Sequence, residues 1–543
     1  MAGRVTGDRL LLLGRIRTMD PARPVVRGML VAGDRITALG EPDRLRAMAP
    51  GSHEVEAAGV VVPGFLDSHL HTLVVGIERR RLTISEASSV AEVCERIGAW
   101  LAERPDLDWA VVGAHFHAED LAEGRLPDRH DLDKVTGGRP VVLDRRTHDA
   151  IANTEALRRC GIDAATPDPV GGRIERDAAG TPTGLLVERP AADLVMARVP
   201  EITHEERRAA LAEAQAYLHT LGITGASEPG LVPAEMEVYA EAVAEGRLTL
   251  RTMGMPLADT ARPAQEFLAS LGPDGVATGR GDVWFKRGPL KIYLDGAGGF
   301  GTALISGVWP GTDGYHGNLT CPADVFADLV ADCAENGNSV AVHAVGDAAV
   351  TLALDVFETV DRQWPVAPLR LSVMHAYLWP SRDDMRRAAR LGVLLSTQPA
   401  MQWRVAAGLA DKFGEEARLA PLRDWADAGV TLAGGSDGPD FLMSPLFGMW
   451  QARSRQVRGR ERPLGADQAV SAEEALAMYT TGAASYCFAD QERGRLAPGF
   501  LADWVELDVD PVEADLSELY EAAGRPVLRT VVGGKVVHGE AFG

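Results

Sequence analysis

The sequence predicts an α/β protein built on a (β/α)8 barrel, with a small β-domain assembled from both chain ends. Three observations predict it. Eight short apolar runs alternate with amphipathic helical stretches between residues 61 and 434, a rhythm for which a closed barrel is the natural solution and an open doubly wound sheet the other one. Strand-like runs with hairpin turns cluster at both termini. Isolated His, Lys and Asp residues stand at the ends of central runs, where such a barrel gathers its active site.

The N-terminal residues 1–62 read as all-β. Runs 10–13, 29–32 and 35–39 are short and apolar, and Gly33-Asp34 joins the last two as a favoured hairpin pair. The first barrel strand arrives in Val61-Val62-Pro63-Gly64-Phe65-Leu66-Asp67-Ser68-His69-Leu70-His71. Residues i and i+2 of an extended strand face the same way, so His69 and His71 can close on one metal ion. A long interruption follows, residues 75–205, with its own strand (109–113), helix (150–157) and Gly/Asp/Pro-rich hairpin (169–184). It reads as an inserted subdomain over the barrel mouth. An Ala-rich helix at 209–221 resumes the barrel. Strands then fall at 222–228, 248–255, 289–295, 339–343, 371–375, 393–397 and 430–434, with helices such as 323–336, 348–359 and 382–391 between them. Runs 503–507 and 527–532, with Gly533-Gly534 turning into Lys535-Val536-Val537-His538, return to the β texture of the start. The boundaries expected are therefore a β-domain of 1–62 plus 488–543 and a barrel of 63–487 that carries the 75–205 insertion.

The 543 residues exceed one compact core, and 46% hydrophobic with 24% charged residues is ordinary for a globular chain. A net charge of -22 disfavours nucleic acid and anionic membrane as partners. Five scattered cysteines without a CxxC point to reduced thiols, a cytoplasmic setting and no thiolate metal site. The Leu10–Leu13 run is too short for a signal segment or a membrane span.

Chemistry concentrates at the strand ends. His343 ends Ser339-Val340-Ala341-Val342, His375 ends Leu371-Ser372-Val373-Met374, and Asp437 follows Gly434-Gly435-Ser436. With His69 and His71 they offer four imidazoles and one carboxylate, a set that suits Zn2+ and is compatible with Mn2+ or Fe2+. Lys291 sits inside an apolar strand, where an ammonium is costly; carbamylation would make it an anionic bridge between two metals. Singly, a strand-end His is more often a structural group, Asp437 before Gly-Pro reads as a turn residue, and Lys291 can pair with Asp295. On successive βα units the set reads as a metal site. A second His-x-His, His115-Phe116-His117, lies in the insertion and reads as pocket lining or surface.

The order His-x-His, Lys, His, His, Asp resembles the amidohydrolase superfamily of metal-dependent hydrolases. Val62–His71, Lys291-Ile292-Tyr293-Leu294-Asp295-Gly296, His343-Ala344-Val345-Gly346-Asp347, Gly435-Ser436-Asp437 and Gly494-Arg495-Leu496-Ala497-Pro498-Gly499 are similar to the branch that contains N-substituted formamide deformylase. The resemblance implies a barrel with a terminal β-sandwich, metal binding by His69, His71, His343, His375 and Asp437, and Lys291 as a carboxylated bridge. It departs at Glu228-Pro229, where relatives often have Asp, and this places Glu228 in the substrate pocket. The activity implied is hydrolysis of a non-peptide C–N bond in an amide, N-formyl or N-acyl compound, with Asp437 relaying the proton. His148, in a segment similar to the branch, is a candidate oxyanion donor, and Asp295 and Gln398 are candidate pocket residues. Deamination of a heterocycle is the alternative, weakened because no Glu stands near His343; a catalytically silent scaffold is the other. The partners expected are a small-molecule substrate and a second copy in a homodimer.

Overall fold

The computed structural model describes residues 9–542 except 85, 115, 117, 146–148, 170–171, 188, 273–274 and 300. The chain divides into two compact units, one made of Met1–Thr72 with Ala214–Gly543, the other of Leu73–Glu213.

In the larger unit, eight parallel strands form the barrel: β1 (Phe65–Asp67), β2 (Ile223–Leu231), β3 (Arg251–Pro256), β4 (Leu290–Tyr293), β5 (Val340–Gly346), β6 (Ser372–Leu378), β7 (Leu394–Thr397) and β8 (Leu432–Gly434). Ala226 of β2 is level with Asp67 on one side and Thr252 on the other. β4 to β8 pair consecutively, with Tyr293 level with His343 and Ala344 with His375. Two seams complete the ring. Gly288 N donates to Gly254 O at 2.7 Å and Ala258 N to Lys291 O at 2.9 Å, joining β3 to β4. Ser68 N donates to Gly434 O at 3.0 Å and Asp437 N to His69 O at 2.7 Å, joining β8 to β1. Each of the eight apolar runs read from the sequence supplies one of these strands.

Alternation sorts the side chains. Leu290, Ile292, Leu294, Val340, Val342 and Val373 face outward and pack with Phe326, Leu354 and Phe357 of the surrounding helices. Leu66, Met253, Ala341, Met374, Leu394 and Ala433 share an inner cluster, so the lumen has a packed floor beneath its polar mouth.

The terminal strands form one sheet, in the order Lys535–Gly539, Arg529–Val532, Trp504–Leu507, Val60–Pro63, Arg9–Arg17, Val25–Ala32 and Arg35–Gly40, with His53–Glu56 also on Arg9–Arg17. The two ends meet where Val60–Pro63 pairs antiparallel with Trp504–Leu507. Ala32 stands opposite Arg35 across Gly33-Asp34, the hairpin expected there. Leu12, Ile16, Met29, Val31, Leu496 and Trp504 are buried together beneath this sheet.

The smaller unit carries a five-stranded sheet in the order Arg173–Arg176, Pro182–Val187, Asp149–Ala152, Val141–Asp144, Ala110–Gly113. The helix expected at 150–157 is divided. Asp149–Ala152 is the middle strand, and the helix Thr154–Cys160 starts only after Asn153, whose side chain accepts from Ala156 N at 3.0 Å. Helix propensity in Ala150-Ile151-Ala152 yields to the burial of all three residues. Among the described residues no helix is long and apolar enough to cross a membrane.

Candidate active site

The His69/His71 pair lies just beyond β1, which stops at Asp67. Regular strand geometry therefore does not hold the pair; neighbouring loops do. Leu70 N donates to Ser227 O and His71 N to Gly438 O, each at 3.0 Å. The buried Asp67 carboxylate accepts from His69 N at 2.9 Å and from Ser436 N at 3.0 Å, tying the loop after β1 to the loop after β8. Burial pushes this carboxyl up to about 7.

Four elements converge above that brace. His69 Nε2 lies 3.3 Å and His71 Nε2 3.5 Å from the same oxygen of Asp437, and one donor atom from each of these residues falls within 4.8 Å of the others. The His375 ring is 4.9 Å from that of His69, and the His343 ring 4.6 Å from that of His375, centroid to centroid. By strict alternation His375 would point outward with Val373. Positive φ angles of 75° at His375 and 42° at Ala376, with a register shift against β5, turn it into the lumen. Asp437 has φ 57° for the same kind of reason, on the tight turn after β8.

Burial sets the protonation. It holds His69 at about 4 and His343 at about 3, and His375 well below the ordinary imidazole value. All three are neutral at pH 7 and have a lone pair to offer. Burial acts to raise Asp437, but the imidazoles of His69 and His71 outweigh it and hold the carboxyl well below the usual range. Neutral nitrogens around one carboxylate are the donor chemistry of a zinc-type site. His69 Nδ1 is buried without a hydrogen-bond partner, and it is Nε2 of this ring that faces Asp437. Lys291 is 0% exposed; its Nζ lies 2.8 Å from Met374 Sδ and 4.6 Å from the centre of the Tyr293 ring. Burial brings this amine down to about 7, an effect that Asp437 opposes. His71 and Asp437 are 26% and 15% exposed whereas His69 is 2% exposed, so the site opens on the His71–Asp437 side.

Three residues expected in the substrate pocket have hydrogen-bond partners within the protein. The Asp295 carboxylate accepts from the main chain of Leu304, Val345 and Gly346 at 2.9, 2.9 and 3.0 Å, pinning the loop after β4. Glu228 accepts from the buried Tyr239 hydroxyl on the helix Pro233–Ala244. The Gln398 carboxamide oxygen is 2.8 Å from His375 Nδ1, where it meets the ring. His148, His115 and His117 lie outside the described residues. Sequence reasoning passed over Tyr293, whose ring stands 5.2 Å from that of His343. Its position two residues after Lys291 on β4 was the available signal.

The amidohydrolase family profile matches residues 56–538. The chain is 31% identical to N-substituted formamide deformylase of Arthrobacter pascens over 551 residues, covering 97% of each protein. Its fold is similar to that of an uncharacterized metal-dependent hydrolase from Pyrococcus horikoshii, with TM-score 0.76, 24% identity, and coverage of 94% of this chain and 99% of that one. It is also similar, at TM-score 0.50 and 16% identity over 98% of this chain and 95% of the other, to a variant of atrazine chlorohydrolase from Arthrobacter aurescens complexed with zinc and atraton. Matched over most of its length, the chain belongs to the amidohydrolase family.

Proposed function

We propose that this hydrolase of non-peptide C–N bonds acts on an N-formyl or N-acyl amide, using zinc held by His69, His71, His343, His375 and Asp437. One observation carries the reading: His69 and His71 close on one carboxylate oxygen of Asp437, with the His375 and His343 rings in contact beside them, at the C-terminal end of the strands. The deformylase relative, similar along the whole chain, supports the substrate class. The zinc of the chlorohydrolase structure belongs to that protein and supports the metal.

When bound, such a metal supplies a water acidified to a pKa of about 7 and an electrophilic contact for a carbonyl oxygen. The chain's own groups do the rest. Asp437, ionised and part-exposed, takes the proton of the attacking water and returns it to the leaving nitrogen. Lys291, brought down to about 7 by burial, has a neutral amine fraction at pH 7. Its nitrogen can bond to the carbon of CO2 and release a proton to solvent, leaving a carbamate anion that suits a bridging position between two metals. His148 remains the proposed oxyanion donor. The deaminase alternative requires a glutamate near His343, and Asp347 there is bonded to the Ser306 main chain at 2.9 Å and to its hydroxyl.

We assign the terminal sheet to a β-sandwich domain of 1–62 plus 488–543, the barrel to 63–487, and 75–205 to an insertion, which the compact unit Leu73–Glu213 supports. Five free cysteines support a cytoplasmic setting, and a homodimer is the assembly proposed.

The test is metal per chain by elemental analysis, on wild type and His69→Ala, followed by assay with N-butylformamide and N-butylacetamide. One or two equivalents, absent from the variant, with amide cleavage, is the expected result. Wild type that neither contains nor takes up zinc would overturn the reading.

A further inference from the structure

The ends of a hydrogen-bond chain fix its direction. His375 Nδ1 lies 2.8 Å from Gln398 Oε1, and Gln398 Nε2 lies 3.1 Å from Ser396 Oγ. Ser396 Oγ is 2.8 Å from Ser68 Oγ, which is 3.1 Å from the main-chain oxygen of Ala433. The chain thus runs from β6 through β7 and the loop after β1 to β8. Both serines are 0% exposed, and Gln398 and His375 are each 4% exposed. The buried Tyr486 hydroxyl lies beside Ser396 and Ser372 and has a proton of its own to offer either oxygen.

The Ala433 carbonyl has no proton to give, so Ser68 donates to it. A hydroxyl carries one proton; Ser68, having used its own, receives one from Ser396. Ser396 in turn receives from Gln398, which places the carboxamide NH2 toward the serine and the carboxamide oxygen toward the imidazole. His375 must then carry its proton on Nδ1 and present a bare lone pair at Nε2. A flipped carboxamide would reverse this, giving an N–H on the ring nitrogen that faces the other histidines. Nothing in an isolated Gln–His contact chooses between the two orientations. The serines choose.

We propose that Ser68, Ser396 and Gln398 are positioning residues, a directional relay anchored on a main-chain carbonyl that locks His375 in the Nδ1–H tautomer required for ligation through Nε2. The ligation clause rests on the metal-site reading; the tautomer assignment does not. Ligands oriented in this way lose about 10- to 100-fold in metal affinity when the orienting partner is removed.

The experiment compares wild type, Ser396→Ala and Ser396→Thr, with Gln398→Met as a second way to break the relay. Metal-free protein labelled with 15N-histidine reports the tautomer, with the His375 signal assigned by its loss in His375→Asn. Zinc affinity is read separately by competition with a chromophoric chelator. The expected result is an Nδ1–H ring in wild type, mixed tautomers and about tenfold weaker zinc binding in Ser396→Ala and Gln398→Met, and recovery of both in Ser396→Thr. An Nε2–H ring in wild type, or an unchanged tautomer in both relay-breaking variants, would overturn the relay. Wild type that binds no zinc yet loses the Nδ1–H tautomer in Ser396→Ala would sink the metal reading and leave the relay standing.

Discussion

A buried imidazole that stays neutral offers a lone pair to a cation and makes folding sensitive to acid. His69 is held at about 4 and His343 at about 3, against about 6.5 in an unfolded chain. Below about pH 6.5 the unfolded state takes up protons that the folded site refuses, so stability falls with falling pH through the window down to about 4 and 3. In metal-stripped protein, these imidazoles should pull the urea midpoint down as pH falls from about 6.5 toward 4, against the opposite contribution of the raised Asp67 carboxyl. His69→Phe, which cannot protonate, should flatten part of that slope; an unchanged profile in this variant would refute the assignment. Lys291 gives a second residue-scale test. Lys291→Met keeps an apolar chain of similar volume beside Met374 and removes the amine. It should lower metal content by one equivalent where wild type holds two, abolish any 13C-carbamate signal from labelled bicarbonate, and leave the metal-free melting temperature equal or higher. The residues proposed as ligands were legible in the sequence because they stand at or near the ends of apolar runs. The partners of those ligands were not. Gln398 and Asp295 also stand at strand ends, and only the fold shows that one is bound to an imidazole and the other to three main-chain N–H groups.

At the scale of elements, barrel strands were readable because their outward residues form apolar runs whose period matches the outer packing. What periodicity misses is where it breaks. His375 reaches the lumen through positive φ angles at two consecutive non-glycine residues, and no propensity scale marks that position. The loop after β4 is held in a comparable way. Gly346 donates to Asp295 and lies so close to that loop that an added Cβ would meet the Leu304 carbonyl oxygen at 1.8 Å. Gly346→Ala should therefore cost about 1–3 kcal/mol through overpacking against main chain, measured by urea denaturation. It should also expose the 296–304 amides to hydrogen exchange. A variant as stable as wild type would show that the loop yields freely. The divided helix at 149–160 makes the same point in the smaller unit, where sheet position overrode alanine's helix preference.

At the scale of the larger unit, the terminal sheet and the barrel share a buried charge cluster. Arg251, at the start of β3, bonds Asp503 in bidentate fashion at 2.8 and 3.1 Å; Arg493 Nε lies 3.3 Å away, and Gly533 N donates to the same carboxylate at 2.8 Å. Arg251, Asp503 and Arg493 are 2%, 6% and 8% exposed. The sequence showed strand-like runs at both chain ends, but it could not show that Asp503, two residues past Leu501, would neutralise an arginine 252 positions earlier. Asp503→Asn leaves two guanidinium groups buried against a neutral amide and should cost about 3–5 kcal/mol at pH 7. Burial acts to raise the Asp503 carboxyl, but Arg251 and Arg493 prevail and hold it below the ordinary value. A carboxyl lowered in the folded state contributes stability that is complete above the unfolded value of about 3.9 and is lost as pH falls through the folded one. The gap in urea midpoint between wild type and Asp503→Asn should therefore stay constant from pH 7 to about pH 5 and narrow only in stronger acid. A gap that closes already between pH 7 and pH 5 would assign the loss to groups other than this carboxylate, and no gap at pH 7 would mean that water reaches the two arginines once their partner is gone.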